Sequence, residues 1–270
     1  MTAESSSVRV AFVAEASRLA ACAPETVTGD IEPVLVEWRE DVDPASALTG
    51  LAEVSPDVVV AFRPELVAPV ALAGIEAVTI GYLTEALPSE QPGCVDPWSF
   101  DRFIAASPDI AAGAELAGLP VWRLLSLPVA DRFYRPAGPR GDPPRVLEIH
   151  TGLGTEQLAA RLEGFDVAVN LEQDDLPSFE HLLLVCIAGG LLVLSAPLGS
   201  TAGLEPDIDY VVIEEDRADE TLEALMREPN AFRRQWLGGR MKAERWRASS
   251  AWSRLVFDLG RDIAAFGRGN

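Results

Sequence analysis

Residues 145–155 read R-V-L-E-I-H-T-G-L-G-T, and the segment E-Q-L-A-A-R-L-E-G follows directly over 156–164. The apolar run Arg145–His150 predicts a buried strand, the glycine-spaced turn 151–155 a tight loop, and the alanine- and leucine-rich segment a helix. The same alternation repeats at once. D-V-A-V-N over 166–170 reads as a strand, S-F-E-H-L-L-L-V-C-I-A-G-G over 178–190 as a helix, and L-L-V-L-S over 191–195 as a strand. Strands alternating with helices predict an α/β fold around a parallel sheet.

Upstream, P-A-G-P-R-G-D-P-P over 136–144 packs four prolines and two glycines into nine residues, which neither helix nor sheet accommodates, so it reads as a linker. Before it lies a second α/β series. Its strands are expected at 8–14, 34–38, 57–62, 77–83, 100–106 and 121–127, with helices after Asp43-Pro44, from Pro64, and after Pro108. Downstream, 219–266 reads as arginine-rich amphipathic helices carrying Trp236, Trp246, Trp252 and Phe257, part of which should pack on both halves. The expected division is 1–135, a linker at 136–144, and 145–270 including the C-terminal helices.

At 48% hydrophobic and 24% charged residues the chain can build a real core. The formal charge of −20 sets up a field that repels phosphodiester backbones and anionic lipid, which argues against nucleic acid and membrane surfaces as partners. A nucleotide diphosphate would then need local backbone N–H groups, helix N-termini or arginines. Cys22, Cys94 and Cys186 are odd in number and lack metal-ligand spacing, which points away from disulfides and zinc and toward a reducing cytoplasm. The start of the chain has no basic-then-apolar leader, and no apolar run is long enough to span a bilayer.

Ligands of open parallel sheets sit beyond the carboxyl ends of the strands, so the candidates lie there. Gly152 and Gly154 either cradle a phosphate against the following helix N-terminus or form a bare βα turn. With Glu172 downstream, a dinucleotide also stays open. His150, one of two histidines, is placed to act as a general base or to face solvent, whereas His181 reads as a surface or first-turn helix residue. Arg63, followed by Pro64, is either a fixed cation for an anionic ligand or the partner of Glu65. Glu85 stands at the equivalent place after the next strand, and Arg18 follows the first.

Longer stretches are more specific. N-L-E-Q-D-D-L-P-S-F-E (170–180), A-G-G-L-L-V-L-S-A-P-L (188–198) and G-L-E-P-D-I-D-Y (203–210) resemble the CgeB-like, GT-B-type glycosyltransferases. So do F-R-P-E (62–65), L-T-E-A-L-P (83–88) and L-P-V-W-R-L-L-S-L-P-V-A-D (119–131) in the first half. The resemblance implies two Rossmann-like lobes with a helical C-terminal segment. It also implies transfer of a sugar from a nucleotide donor, held by the second half, to a small-molecule or glycan acceptor on the first. The nucleotide sugar is then a co-substrate, with no other cofactor and no obligatory metal.

By position, Pro177, Ser178, Glu180, Leu198, Gly199, Ser200, Gly203 and Glu205 would line the donor pocket beside Gly152 and Gly154. His150 or Glu85 would help deprotonate the acceptor, and Arg18 and Arg63 would serve the phosphates or the acceptor. The chain departs from the pattern in three ways. Val185 stands where the broader group often has a glutamate, the 150–155 loop carries no cation, and one βα unit of the donor half looks missing. A leaving diphosphate needs preorganised positive charge or N–H donors. The departures therefore leave two other readings open: a catalytically degenerate binding protein, and a nicotinamide-binding protein built on the H-T-G-L-G-T loop.

Overall fold

The computed structural model describes residues 7–37, 51–67, 72, 74–87, 95–150, 158, 160–171, 177–198 and 203–268. Two compact units emerge, Met1–Ala130 joined by Ala248–Asn270, and Asp131–Arg247. Each contains its own wholly parallel sheet. The α/β character expected from the alternating pattern is what the structure shows.

In the first unit, strands β1 (Val8–Ala14), β2 (Ile31–Glu37), β3 (Val58–Phe62), β4 (Val78–Leu83), β5 (Arg102–Ala105) and β6 (Val121–Leu124) lie in the order β2-β1-β3-β4-β5-β6. Strands β3 and β4 are buried along their whole length, as happens when both faces of a parallel sheet are covered. The outer strand β2 is only partly buried. Helix α1 (Ala16–Cys22) follows β1 directly. Helix α2 (Pro108–Leu116) opens with a proline in its first turn, and the Ser107 Oγ accepts from the Ile110 N–H at 3.3 Å.

The second unit has strands β7 (Val146–Glu148), β8 (Val167–Asn170), β9 (Leu192–Ser195) and β10 (Val211–Val212), ordered β10-β9-β8-β7. Helix α3 (Pro177–Ala188) joins β8 to β9, and α4 (Ala218–Arg227) and α5 (Arg233–Ala243) follow β10. Residues 182–188 of α3 are buried without exception, and His181, expected at the surface or in the N-terminal part of a helix, lies in the N-terminal part of α3 and is 2% exposed. A helix apolar on all sides is enclosed on all sides.

Helix α6 (Ala248–Phe266) corrects the expected division, because it belongs to the first unit although the sequence reading assigned 145–270 to the second. Trp252, fully buried, meets Phe12 edge-on at 4.9 Å between ring centres and also packs on Phe62 and Tyr82. Its indole N–H donates to the Cys22 carbonyl at 2.8 Å. Farther along, Arg102 and Arg123 form ion pairs with Asp262 and Asp258.

The segment 136–144 has no helix or strand, yet it is fastened to the second unit rather than strung freely. The Arg140 guanidinium donates to the Leu162 and Gly189 carbonyls at 2.9 and 2.8 Å, and its backbone N–H donates to the buried Asp166 carboxylate at 2.6 Å. Gly190 has φ +82°, and a Cβ there would run into the Pro136 carbonyl. Glycine is therefore required where α3 ends. The helix expected from Pro64 begins as a single 3-10 turn, Pro64–Leu66.

Candidate functional site

In the first unit β1 has β2 on one side and β3 on the other, so the chain's connections diverge there, the place where open parallel sheets take ligands at their carboxyl ends. Glu15 follows β1, Arg63 follows β3, and Thr84 and Glu85 follow β4. Arg63 is left-handed at φ 56°, an uncommon conformation outside glycine, and its N–H donates to the Tyr82 carbonyl at 3.1 Å. Its guanidinium donates from Nε to Glu65 Oε1 at 2.9 Å and lies 3.9 Å from Glu15. The Glu65 hydrogen bond in particular holds the Arg63 pKa above its ordinary value, against a smaller opposing effect of burial.

Arg18 reaches from α1 to Glu85 at 3.4 Å. Beneath it the Cys22 thiol is pushed up to about 11 by burial, with Arg18 acting the other way. Thr84 is 1% exposed, and its hydroxyl has no hydrogen-bond partner among the described residues. Of the residues singled out from sequence, then, the structure brings Arg18 together with Glu85, and Arg63 together with Glu65. Glu15 completes the cluster. These cations and acids offset one another in place.

The carboxyl edge of the second sheet differs. His150 lies just beyond β7 and is exposed. At the ends of β8 and β9, Asn170 and Ser195 stand opposite one another in register, both fully buried. The Asn170 amide donates to Ser195 Oγ at 2.9 Å, and that hydroxyl donates to the Ala196 carbonyl at 2.8 Å. Sequence reading missed this pair, though a polar residue closing each of two apolar strands was a visible signal.

Pro177 and Ser178 lie in the first turn of α3, and Glu180 within it is 8% exposed. Leu198 is half-buried two residues past the Ser195–Ala196 turn. Gly203 has φ +85°. Glu205 does not stand free at a pocket edge: Lys242 donates to it at 2.8 Å and to Asp209 at 2.7 Å, while the Glu205 N–H donates to Asp209. The chain's sole lysine is thereby engaged by two carboxylates. Val185 is buried completely in the core face of α3. Gly152, Gly154, Gly199 and Ser200 fall outside the described residues, as does Cys94. Among the described residues no cluster of three or more potential ligands could hold a metal, and no helix is long and apolar enough to cross a membrane.

Two parallel sheets, carried on one chain of 270 residues, can be compared with known structures. The HepE protein of Anabaena, solved in complex with UDP, superposes with a TM-score of 0.54 at 9% identity, covering 94% of this chain and 100% of that one. The chain shares the HepE fold. The UDP-glucose complex of HepE gives a TM-score of 0.52 at 10% identity, with 94% and 99% covered. No family model and no curated protein matches the sequence. At this identity the likeness concerns the fold alone.

Proposed function

We infer that the chain is a glycosyltransferase of GT-B type that takes a nucleotide sugar as donor. The observation that supports this most is the fold shared, over nearly the whole chain, with a protein seen with UDP and with UDP-glucose. In this reading the second unit holds the donor. Backbone N–H groups at the start of α3 would meet the diphosphate, beside the neutral, polar Asn170 and Ser195 that end β8 and β9. Pro177, Ser178, Glu180 and Leu198 would line the pocket, with Glu205 held at its margin by Lys242.

The first unit takes the acceptor at its carboxyl edge. His150, exposed and unencumbered by a described ion pair, acts as general base toward the acceptor hydroxyl, with Glu85 as the alternative. Arg18 and Arg63 orient the acceptor or stabilise the leaving diphosphate. Transfer proceeds without a metal, so EDTA should leave it unchanged. The test is turnover and thermal shift with a panel of uridine, guanosine and thymidine diphosphate sugars. No shift and no donor hydrolysis with any of them would refute the reading.

A second reading is favoured by one observation. Both arginines at the first unit's strand ends are already committed to glutamates, so the charge a leaving diphosphate needs is partly spent. A protein so arranged binds the nucleotide sugar without turning it over. Saturable binding of UDP-glucose with no release of UDP over many hours would select this reading over the first.

A further inference from the structure

A sizeable cavity lies at the opposite end of the first sheet, away from that sheet's carboxyl strand ends. It flanks the starts of β5 and β6 and has a volume of about 640 Å³. That falls within the range of small-molecule sites, about 300–1,000 Å³. Its walls come from four parts of the chain: Thr79 of β4, the 97–103 segment, the 118–122 turn into β6, and the end of α6. Trp98 and Phe266 border it and are 76% and 81% exposed, and Trp122 adds a partly buried indole. Large aromatic faces left this open around a concavity mark a binding surface.

The polar part of the wall is fixed. Arg102 donates from Nε and Nη2 to Asp262 Oδ2 at 3.0 and 2.8 Å and from Nη1 to the Asp101 carbonyl at 2.7 Å, so its charge is spent within the protein. Asp101 Oδ2 accepts from the Thr79 N–H and hydroxyl at 2.8 and 3.1 Å. One guanidinium against two carboxylates leaves the cavity net acidic, inside a chain of charge −20, which rejects anions. The remaining carboxylate oxygens are acceptors suited to hydroxyl donors.

Flat aromatic faces beside fixed hydroxyl acceptors complement a molecule with apolar C–H faces and many O–H groups, and the volume exceeds what a small ammonium ion fills. We propose that this cavity is a binding site for a neutral oligosaccharide, with Trp98 and Phe266 as stacking platforms and Asp101 and Asp262 as acceptors for sugar hydroxyls. It is separate from the first sheet's strand-end groups and does not rest on the donor reading. A chain that failed to bind any nucleotide sugar could still carry it.

The test titrates the full chain with maltohexaose, cellohexaose and mannohexaose, each to about 10 mM, by calorimetry and tryptophan fluorescence. At least one should bind. Trp98→Ala should weaken it by about tenfold or more and Trp98→Phe by no more than about threefold. Because Trp98 is largely exposed, Trp98→Ala should melt at the wild-type temperature, so its loss of binding is not a loss of fold. UDP-glucose titrated in parallel reports the other site and should be indifferent to Trp98→Ala. No binding by any of the three sugars overturns the proposal. Binding unaffected by Trp98→Ala overturns it too, as does preference for tetramethylammonium or for a heparin-derived hexasaccharide.

Discussion

The two sheets finish their strands in opposite chemical styles. The first ends in a charged cluster whose members already satisfy one another: Arg18 with Glu85, and Arg63 with Glu65 and Glu15. The second ends in Glu148, His150 just beyond it, and the neutral Asn170–Ser195 pair, while its one lysine is drawn off to Glu205 and Asp209. Their cores are built alike. Trp252 in the first unit and Trp236 in the second are both buried, and each indole N–H donates to a backbone carbonyl, of Cys22 and of Gly190. The contrast teaches that the units share a way of standing up and differ in what they offer a ligand.

The largest expected effect tests whether the cores are independent. Trp252→Ala should cost about 3–5 kcal/mol through the cavity left among Phe12, Phe62 and Tyr82. Amide hydrogen exchange should then show lost protection in β1, β3 and β4 with β8 and β9 unchanged. Equal loss in both sheets would break the assignment of α6 to the first unit.

Next, His150→Ala should lower transfer by about 100-fold or more, in line with removal of a general base, and leave the melting temperature in place since His150 is exposed. An unchanged rate would move the base to Glu85. Arg18→Ala comes third: it frees Glu85 and should raise the acceptor KM several-fold with donor affinity untouched, as measured by steady-state kinetics with each substrate varied. A weaker donor instead would erase the division of labour between the edges.

The smallest effect is a pH dependence confined to the second unit. Glu244 accepts from Arg247 first and Arg240 second, and these hold its carboxyl down at about 2 against an ordinary 4.5. A depressed folded-state pKa means that the stabilisation is present above 4.5 and is lost as pH falls toward 2. Glu244 is nearly half exposed, so screening keeps the amount under about 1 kcal/mol. Urea midpoints followed from pH 5 to pH 2 should fall less steeply in Glu244→Gln than in the natural chain. Identical slopes would remove Glu244 from the account.

Much of this fold could be read from the residues, because long apolar runs such as V-V-V-A-F permit little besides a buried parallel strand. Every strand expected in either half appears, with ends shifted by three residues at most. The two-residue β10 was not foreseen, since so short a ladder leaves no periodicity. Nor was the allegiance of α6 visible: its tryptophan finds Phe12 some 240 positions away, and sequence nearness argued for the wrong unit. His181 lies in the N-terminal part of α3, one of the two places expected for it, but it is buried because the turns that follow are apolar on every side.

For the site, the strand-end rule located Arg18, Arg63, Glu85 and His150 at carboxyl edges, but it could not say which cations would be neutralised. That depends on side-chain reach across strands, as with Lys242 and Glu205. The aromatic cavity left no local trace, since Trp98, Trp122 and Phe266 come together only through tertiary packing.

The most direct measurement is amide hydrogen exchange of the full chain with and without UDP-glucose in the presence of EDTA. The account predicts new protection at the carboxyl ends of β7, β8 and β9, around His150, Asn170 and Ser195, with the first sheet's edge unchanged until acceptor is added. Protection confined to the ends of β1, β3 and β4, or none at saturating nucleotide sugar, would contradict it.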